Sequence, residues 1–167
     1  NVDPGPVSAH GFVVDPGSTQ PASVIDSVLE SNEAYSNEGY GLRLQSANGN
    51  QITQNAFHDN QQGISIEQGS TQNTLNGNTL SKNLSNGVVV NETADSNTLT
   101  NNTANENGIN GIYLRSNDNL ISNNTANNNQ KAGIALMLAT GVTILQNNQL
   151  ISNTIASNLD SGLDLRG

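Results

Sequence analysis

Asn97-Thr98-Leu99-Thr100-Asn101-Asn102-Thr103-Ala104-Asn105-Glu106-Asn107-Gly108-Ile109-Asn110-Gly111-Ile112-Tyr113-Leu114 is one unit of a repeat. Asparagine recurs every fifth residue at Asn97, Asn102 and Asn107, an apolar residue follows two places later at Leu99 and Ala104, and Gly111 opens a short alternating run. The same offsets give Asn73, Leu75, Asn78, Leu80, Asn83 and Gly87 on one side. On the other they give Asn119, Ile121, Asn124, Ala126, Asn129 and Gly133, then Asn148, Leu150, Asn153, Ile155, Asn158 and Gly162. Towards the N-terminus lie Ser27, Leu29, Asn32, Ala34, Asn37 and Gly41, and a unit one residue shorter, Asn50, Ile52, Asn55, Phe57, Asn60 and Gly63. Successive strand-opening glycines from Gly11 to Gly162 are 30, 22, 24, 24, 22 and 29 residues apart.

A period of this length means stacked supersecondary units. Each unit holds three alternating segments separated by asparagine or glycine corners, and alternation with period two marks a strand that buries one face. Four inward rows follow. They start at Phe12, Val14, Leu29 and Ala34 and run to Leu163, Leu165, Leu150 and Ile155. Nearly every apolar residue then points inward, so a chain only 33% hydrophobic can still build a continuous core. The asparagines are expected to supply the left-handed corner conformation and to stack as amide ladders about 4.8 Å apart. A leucine-rich repeat, the nearest competitor at this period, needs one asparagine per unit and a helical convex side. The reading is all-β: a three-sided parallel β-helix of six coils of about 22–30 residues, plus the first strand of a seventh.

Composition narrows the function. The 167-residue chain has no cysteine, which excludes disulfide scaffolds and thiol chemistry. Its net charge of −9, from 5 basic and 14 acidic residues, argues against nucleic acid as a partner. No apolar run approaches the ~18 residues of a membrane-inserted helix, and no secretory leader is legible. Residues 1–10 read as an extended lead-in and 11–167 as the solenoid, open at its C-terminal end and expected to be a fragment of a longer one.

The Gly-Ile-x-Leu and Asn-x-Ile-x-x-Asn pattern resembles the carbohydrate-binding and sugar-hydrolase type of right-handed β-helix repeat. That group includes the NosD-like proteins and the catalytic modules of mannuronan C5-epimerases. The stretch from His10-Gly11-Phe12 through Ser27-Val28-Leu29 and Asn32-Glu33-Ala34-Tyr35 to Asn37 and Gly41 looks most like epimerase coils. The resemblance covers residues 11 to 165 and is specific for fold, much less so for function. It implies an extracellular or cell-surface protein acting on a polysaccharide.

Epimerisation or β-elimination of a uronate needs a base, an opposed acid and a cation on the carboxylate. The epimerases place Tyr before the strand glycine, then Asp and His in an Asp-Pro-His-Glu run. Here His10 and Tyr40 hold the pre-glycine position, but Val13 stands where Asp is expected, and Asp15-Pro16 continues as Gly17-Ser18. The catalytic set therefore does not transfer, and His10, Asp15, Tyr40 and Arg43 remain as weak catalytic candidates. For glycoside hydrolysis, Asp15 and Glu67 share a row two coils apart, about 10 Å, marginal for inversion and too far for retention.

The outward positions of the glycine-led strands carry all three arginines, with Tyr113, Glu67 and Asp15. Arg43, Glu67, Tyr113 and Arg115 are thus the expected polysaccharide contacts. The longer segments after the first and sixth glycine-led strands read either as loops bounding a groove on this face or as covers for the ends of the stack. Coil six has two registers open, one through Asn148 and one through Val142, Ile144 and Asn147. No cofactor signature appears; calcium at Asn117-Asp118-Asn119 would have one carboxylate, which is thin ligation. Two functions compete: a polysaccharide-binding or polysaccharide-modifying module, and a structural solenoid that self-associates end to end. An ice-binding reading of Thr79, Thr103, Thr125 and Thr154 ranks last, because the neighbouring row is irregular.

Overall fold

A computed structural model of the chain describes residues 11–14, 24–138 and 144–166. The lead-in over 1–10, His10, Asp15 and most of the two longer segments lie outside these. Among the described residues there is no helix, and all strand pairing is parallel.

The first face is a sheet of seven glycine-led strands: Phe12–Val14, Tyr40–Gln45, Gln62–Glu67, Val88–Val90, Ile112–Leu114, Ala132–Met137 and Ser161–Arg166. The second has six strands: Val28–Glu30, Gln51–Thr53, Thr74–Asn76, Thr98–Thr100, Leu120–Ser122 and Gln149–Ile151. The third pairs Glu33–Tyr35 with Ala56–His58 and continues as single bridges from Ala56 through Thr79, Thr103 and Thr125 to Thr154. Strands pair only with their equivalents in adjacent coils, so each repeat unit is one turn of a solenoid.

The register is the one set by the repeat. Leu42 faces Ile64, Ile64 faces Val88, Val88 faces Ile112 and Ile112 faces Ile134. All five are fully buried, as are Ile52, Leu75, Leu99 and Ile121 from the second face and Phe57 and Leu80 from the third. The core is therefore a column running along the solenoid axis. In coil six Leu150 pairs with Ile121 and Asn148 stacks on Asn119, which selects the Asn148 register.

Three ladders of side-chain amides fix the corners. In the middle one, Asn55 Nδ2 donates to Asn78 Oδ1 at 3.0 Å, Asn78 to Asn102 at 2.9 Å, Asn102 to Asn124 at 3.0 Å and Asn124 to Asn153 at 3.0 Å. Each Oδ1 also accepts the backbone N–H of the preceding rung, and each inner Nδ2 also donates to a main-chain carbonyl, as Asn78 does to Ile52 at 2.8 Å. Every buried polar atom of the rung is thus satisfied. The left-handed conformation falls elsewhere than expected. It belongs to the residue before each rung: Ser31, Gln54, Asn101 and Asn123 before Asn32, Asn55, Asn102 and Asn124. The ladder asparagines are there for their amides, and the turn itself is made by their exposed neighbours.

The strand-opening glycine answers to crowding between coils. A Cβ on Gly63 would lie 2.2 Å from the Gly87 carbonyl oxygen, and one on Gly87 would lie 2.6 Å from that of Gly111. Main chains of successive coils meet there too closely for any side chain.

Candidate functional site

On the first face, alternate residues turn away from the core, but the surface they make is not uniformly exposed. Ser65, Val89 and Ala135 of one outward row are buried, as is Gln45 of the next. Where such low positions sit beside longer side chains, as Ser65 does beside Glu67, the face is furrowed.

At one end of the furrow Tyr40 and Arg43 come together, the guanidinium 5.5 Å from the ring centroid. Arg43 in turn grips Glu67 of the next coil with two parallel bonds, Nε to Oε1 and Nη2 to Oε2, both 3.1 Å. Ser65 Oγ donates to Glu67 Oε1 at 2.8 Å, and Asn91 Nδ2 donates to Ser65 Oγ at 3.3 Å. The pairing follows from topology: Arg43 and Glu67 lie in adjacent coils, one outward step apart, so their long side chains meet diagonally. Arg43 is thereby matched to a carboxylate of the chain itself.

Three coils away from Arg43, about 14 Å by the strand spacing, Tyr113 and Arg115 repeat the motif. Arg115 lies 6.0 Å from the Tyr113 ring and 2.5 Å from Glu92 in the preceding turn. All four expected contact residues therefore lie on one face, in two clusters.

Beyond Tyr113 the furrow deepens into a cleft of about 370 Å³. Asn86 and Asn110, joined by an amide bond of 2.9 Å, lie on one side of it, with Tyr113 and Met137 on the strands. Lys131, Asp160, Asp164 and Arg166 line its remainder. Arg166 Nε donates to both Asp164 oxygens, at 2.7 and 2.9 Å, and the guanidinium holds the Asp164 carboxyl below its usual range. Arg166 also reaches Asp160 at 3.9 Å. The contribution of Lys131 and Asp160 was missed at the level of sequence. With Ile109 they occupy the column two residues before the strand glycine, which the repeat alignment contains but which no chemical motif marks.

A second cluster that sequence reasoning missed lies on the third face. His58 Nδ1 is 2.6 Å from Asp59 Oδ2 and Nε2 is 3.0 Å from Glu33 Oε1. Its ring stacks on Tyr35 with centroids 5.4 Å apart and planes 3° from parallel. The bonds to Asp59, then Glu33, raise its pKa above the ordinary 6.5. Register makes the pair: Tyr35 and His58 face each other across adjacent strands.

The residues considered for calcium are tied into the stack by hydrogen bonds. Asp118 Oδ1 accepts from Asn147 Nδ2 and Asn117 Oδ1 from the Gln146 N–H, both at 2.9 Å, while Asn119 is a ladder rung. Among the described residues no three His, Asp or Glu side chains cluster as metal ligands.

Residues 6–150 match the family described as the right handed beta helix region, and the chain belongs to it. Among solved structures it is similar to the A-module of the Azotobacter vinelandii mannuronan C-5 epimerase AlgE6, with a TM-score of 0.77 and 21% identity over 84% of this chain and 39% of that one. A periplasmic alginate epimerase, AlgG, matches with a TM-score of 0.76 and 23% identity over 89% of this chain and 33% of that one. The Azotobacter vinelandii AlgE4 A-module matches at 0.71 and 22%, over 95% and 50%. At these identities the likeness is one of fold, and the chain spans half or less of each of these relatives. No curated protein sequence matches significantly.

Proposed function

We propose that the chain is a polysaccharide-binding module of the carbohydrate-active β-helix type, holding an extended glycan along the furrow of its glycine-led face. The observation that carries this reading is the 370 Å³ cleft lined by Tyr113, with the Tyr40–Arg43 and Tyr113–Arg115 pairs on the same sheet face. Tyrosine rings beside guanidinium–carboxylate pairs, the Arg43–Glu67 one bidentate, and side-chain amides suit sugar rings and their hydroxyls. The fold shared with the epimerase modules supports carbohydrate as the ligand, and a site of action outside the cytoplasm goes with it, since the similar AlgG is periplasmic. Epimerase chemistry is not part of the proposal, because Val13 replaces the expected Asp and the Asp-Pro-His-Glu run is broken at Gly17.

Affinity gel electrophoresis against a panel of soluble polysaccharides tests it. Retardation in at least one gel, weakened about tenfold by Tyr113→Ala as expected for a lost ring–ligand contact, is the supporting result. No retardation across the panel, or retardation indifferent to Tyr113→Ala, removes the reading.

A second reading, assembly end to end, is favoured by the exposed Ile151, Leu163 and Leu165 on the last-stacked strands. Sedimentation velocity over a concentration series decides it: growth of larger species supports assembly, and a monomer throughout dismisses it.

A further inference from the structure

The charges of the furrow are arranged in a way that selects among polysaccharides. Binding a polyuronate requires cations free to meet its carboxylates. All three arginines of the chain lie on this face, and each already holds a carboxylate of the chain: Arg43 with Glu67, Arg115 with Glu92, and Arg166 with Asp164. The cleft adds Lys131 and Asp160, again one charge of each sign. Among the described residues of the furrow, four cations thus stand with four carboxylates, the three arginines in ion pairs, while the chain as a whole carries −9. A polyanion entering the furrow would have to displace an internal carboxylate at every arginine, and it would approach a surface of its own sign.

Resting on the furrow as the glycan site, we infer that its ligand is a neutral, hydroxyl-rich polysaccharide and not a polyuronate. Each guanidinium–carboxylate pair leaves donors and acceptors at its rim. Those suit vicinal hydroxyls, which give and take hydrogen bonds at once. The Asn86–Asn110 amides that line the cleft add uncharged partners of the same kind. Tyr40 and Tyr113 supply the ring faces.

The same electrophoresis separates this inference from the reading beneath it. Gels containing neutral mannan, glucan, galactan or xylan are compared with gels containing poly-mannuronate or polygalacturonate, at low and high salt, with and without calcium. The expected result is retardation by at least one neutral polymer, little changed by salt, and none by either polyuronate. Polyuronate retardation equal to or stronger than neutral retardation, with or without calcium, overturns the inference while leaving the furrow as a glycan site. Retardation in none of the gels overturns both.

Two variants test the charge argument itself. Glu67→Gln and Glu92→Gln, on separate coils, keep the side-chain shape and release Arg43 and Arg115 from their carboxylates. Each is expected to give poly-mannuronate retardation that fades at high salt, with an unchanged thermal midpoint as the check on folding. If both variants fold and neither gains it, internal pairing is not what excludes polyanions, and the inference falls.

Discussion

Asn123 and Asn124 are chemically identical neighbours with opposite tasks. Asn123 is exposed and turns the corner with a φ of 55°. Asn124 is fully buried; its Oδ1 accepts from the N–H and Nδ2 of Asn102, and its Nδ2 donates to the Leu99 carbonyl at 2.9 Å and to Asn153 at 3.0 Å. Glycine is at ease in the left-handed conformation, so Asn123→Gly should change stability by no more than about 0.5 kcal/mol. Asn124→Gly instead strips partners from two main-chain groups and two amides in a dry corner, and should cost about 3 kcal/mol or more. Urea denaturation of the two variants checks this, and equal losses would show that the ladder contributes no more than the turn. The distinction was partly legible beforehand: Gln54, Lys82 and Glu106 fill the turn position in other coils, whereas the rung is asparagine in all units at Asn32 and Asn37. Expecting the ladder asparagines to make the turn conflated two columns that lie side by side.

Among the elements, the first two faces could be read directly, because apolar residues alternate there and the observed register repeats that alternation without a slip. The third face was harder. Its run is only a few residues per coil and is described mostly as single bridges, and its inward row contains alanine at Ala34, Ala104 and Ala126. The His58 cluster escaped notice for a related reason. Glu33, Tyr35, His58 and Asp59 form no motif in sequence and meet only because two short strands pair Tyr35 with His58. That cluster carries a pH prediction. A histidine whose folded pKa lies above its unfolded value of about 6.5 contributes stability that is fully present below that value. The contribution is lost as pH rises through the raised folded value. The thermal midpoint should therefore decline as pH rises above about 6.5, by an amount within the ~1 kcal/mol of a solvent-exposed ion pair. His58→Gln should flatten that slope; a variant that keeps the wild-type slope would place its origin in other groups.

Across the molecule, coils touch only their neighbours, so stability is shared between intrinsic terms and coil–coil interfaces, and it should vary along the axis. The burial pattern sets its direction. Leu99 in a middle coil is fully buried, whereas Leu163 and Leu165 on the last strand of the first face are 46% and 63% exposed. Truncating Leu99 leaves a cavity walled by coils on both sides, and Leu99→Ala should cost about 2–5 kcal/mol. Leu165→Ala removes a side chain still largely in water and should cost about 0.5 kcal/mol or less. Amide exchange should follow the same gradient, slow over 64–134 and fast over 161–166, with local opening of the last strand preceding global unfolding. The furrow spans that gradient: the Arg43–Glu67 pair is bedded on fully buried Leu42, Leu44, Ile64 and Ile66, while the Asp164–Arg166 pair rides on the exposed final strand. A glycan that engages the whole furrow must therefore slow exchange most at 161–166, where opening is easiest. Protection gained only around 40–67 would confine binding to the Tyr40 end and leave the cleft empty. Exchange with and without a saturating neutral polysaccharide reads both alternatives from one experiment.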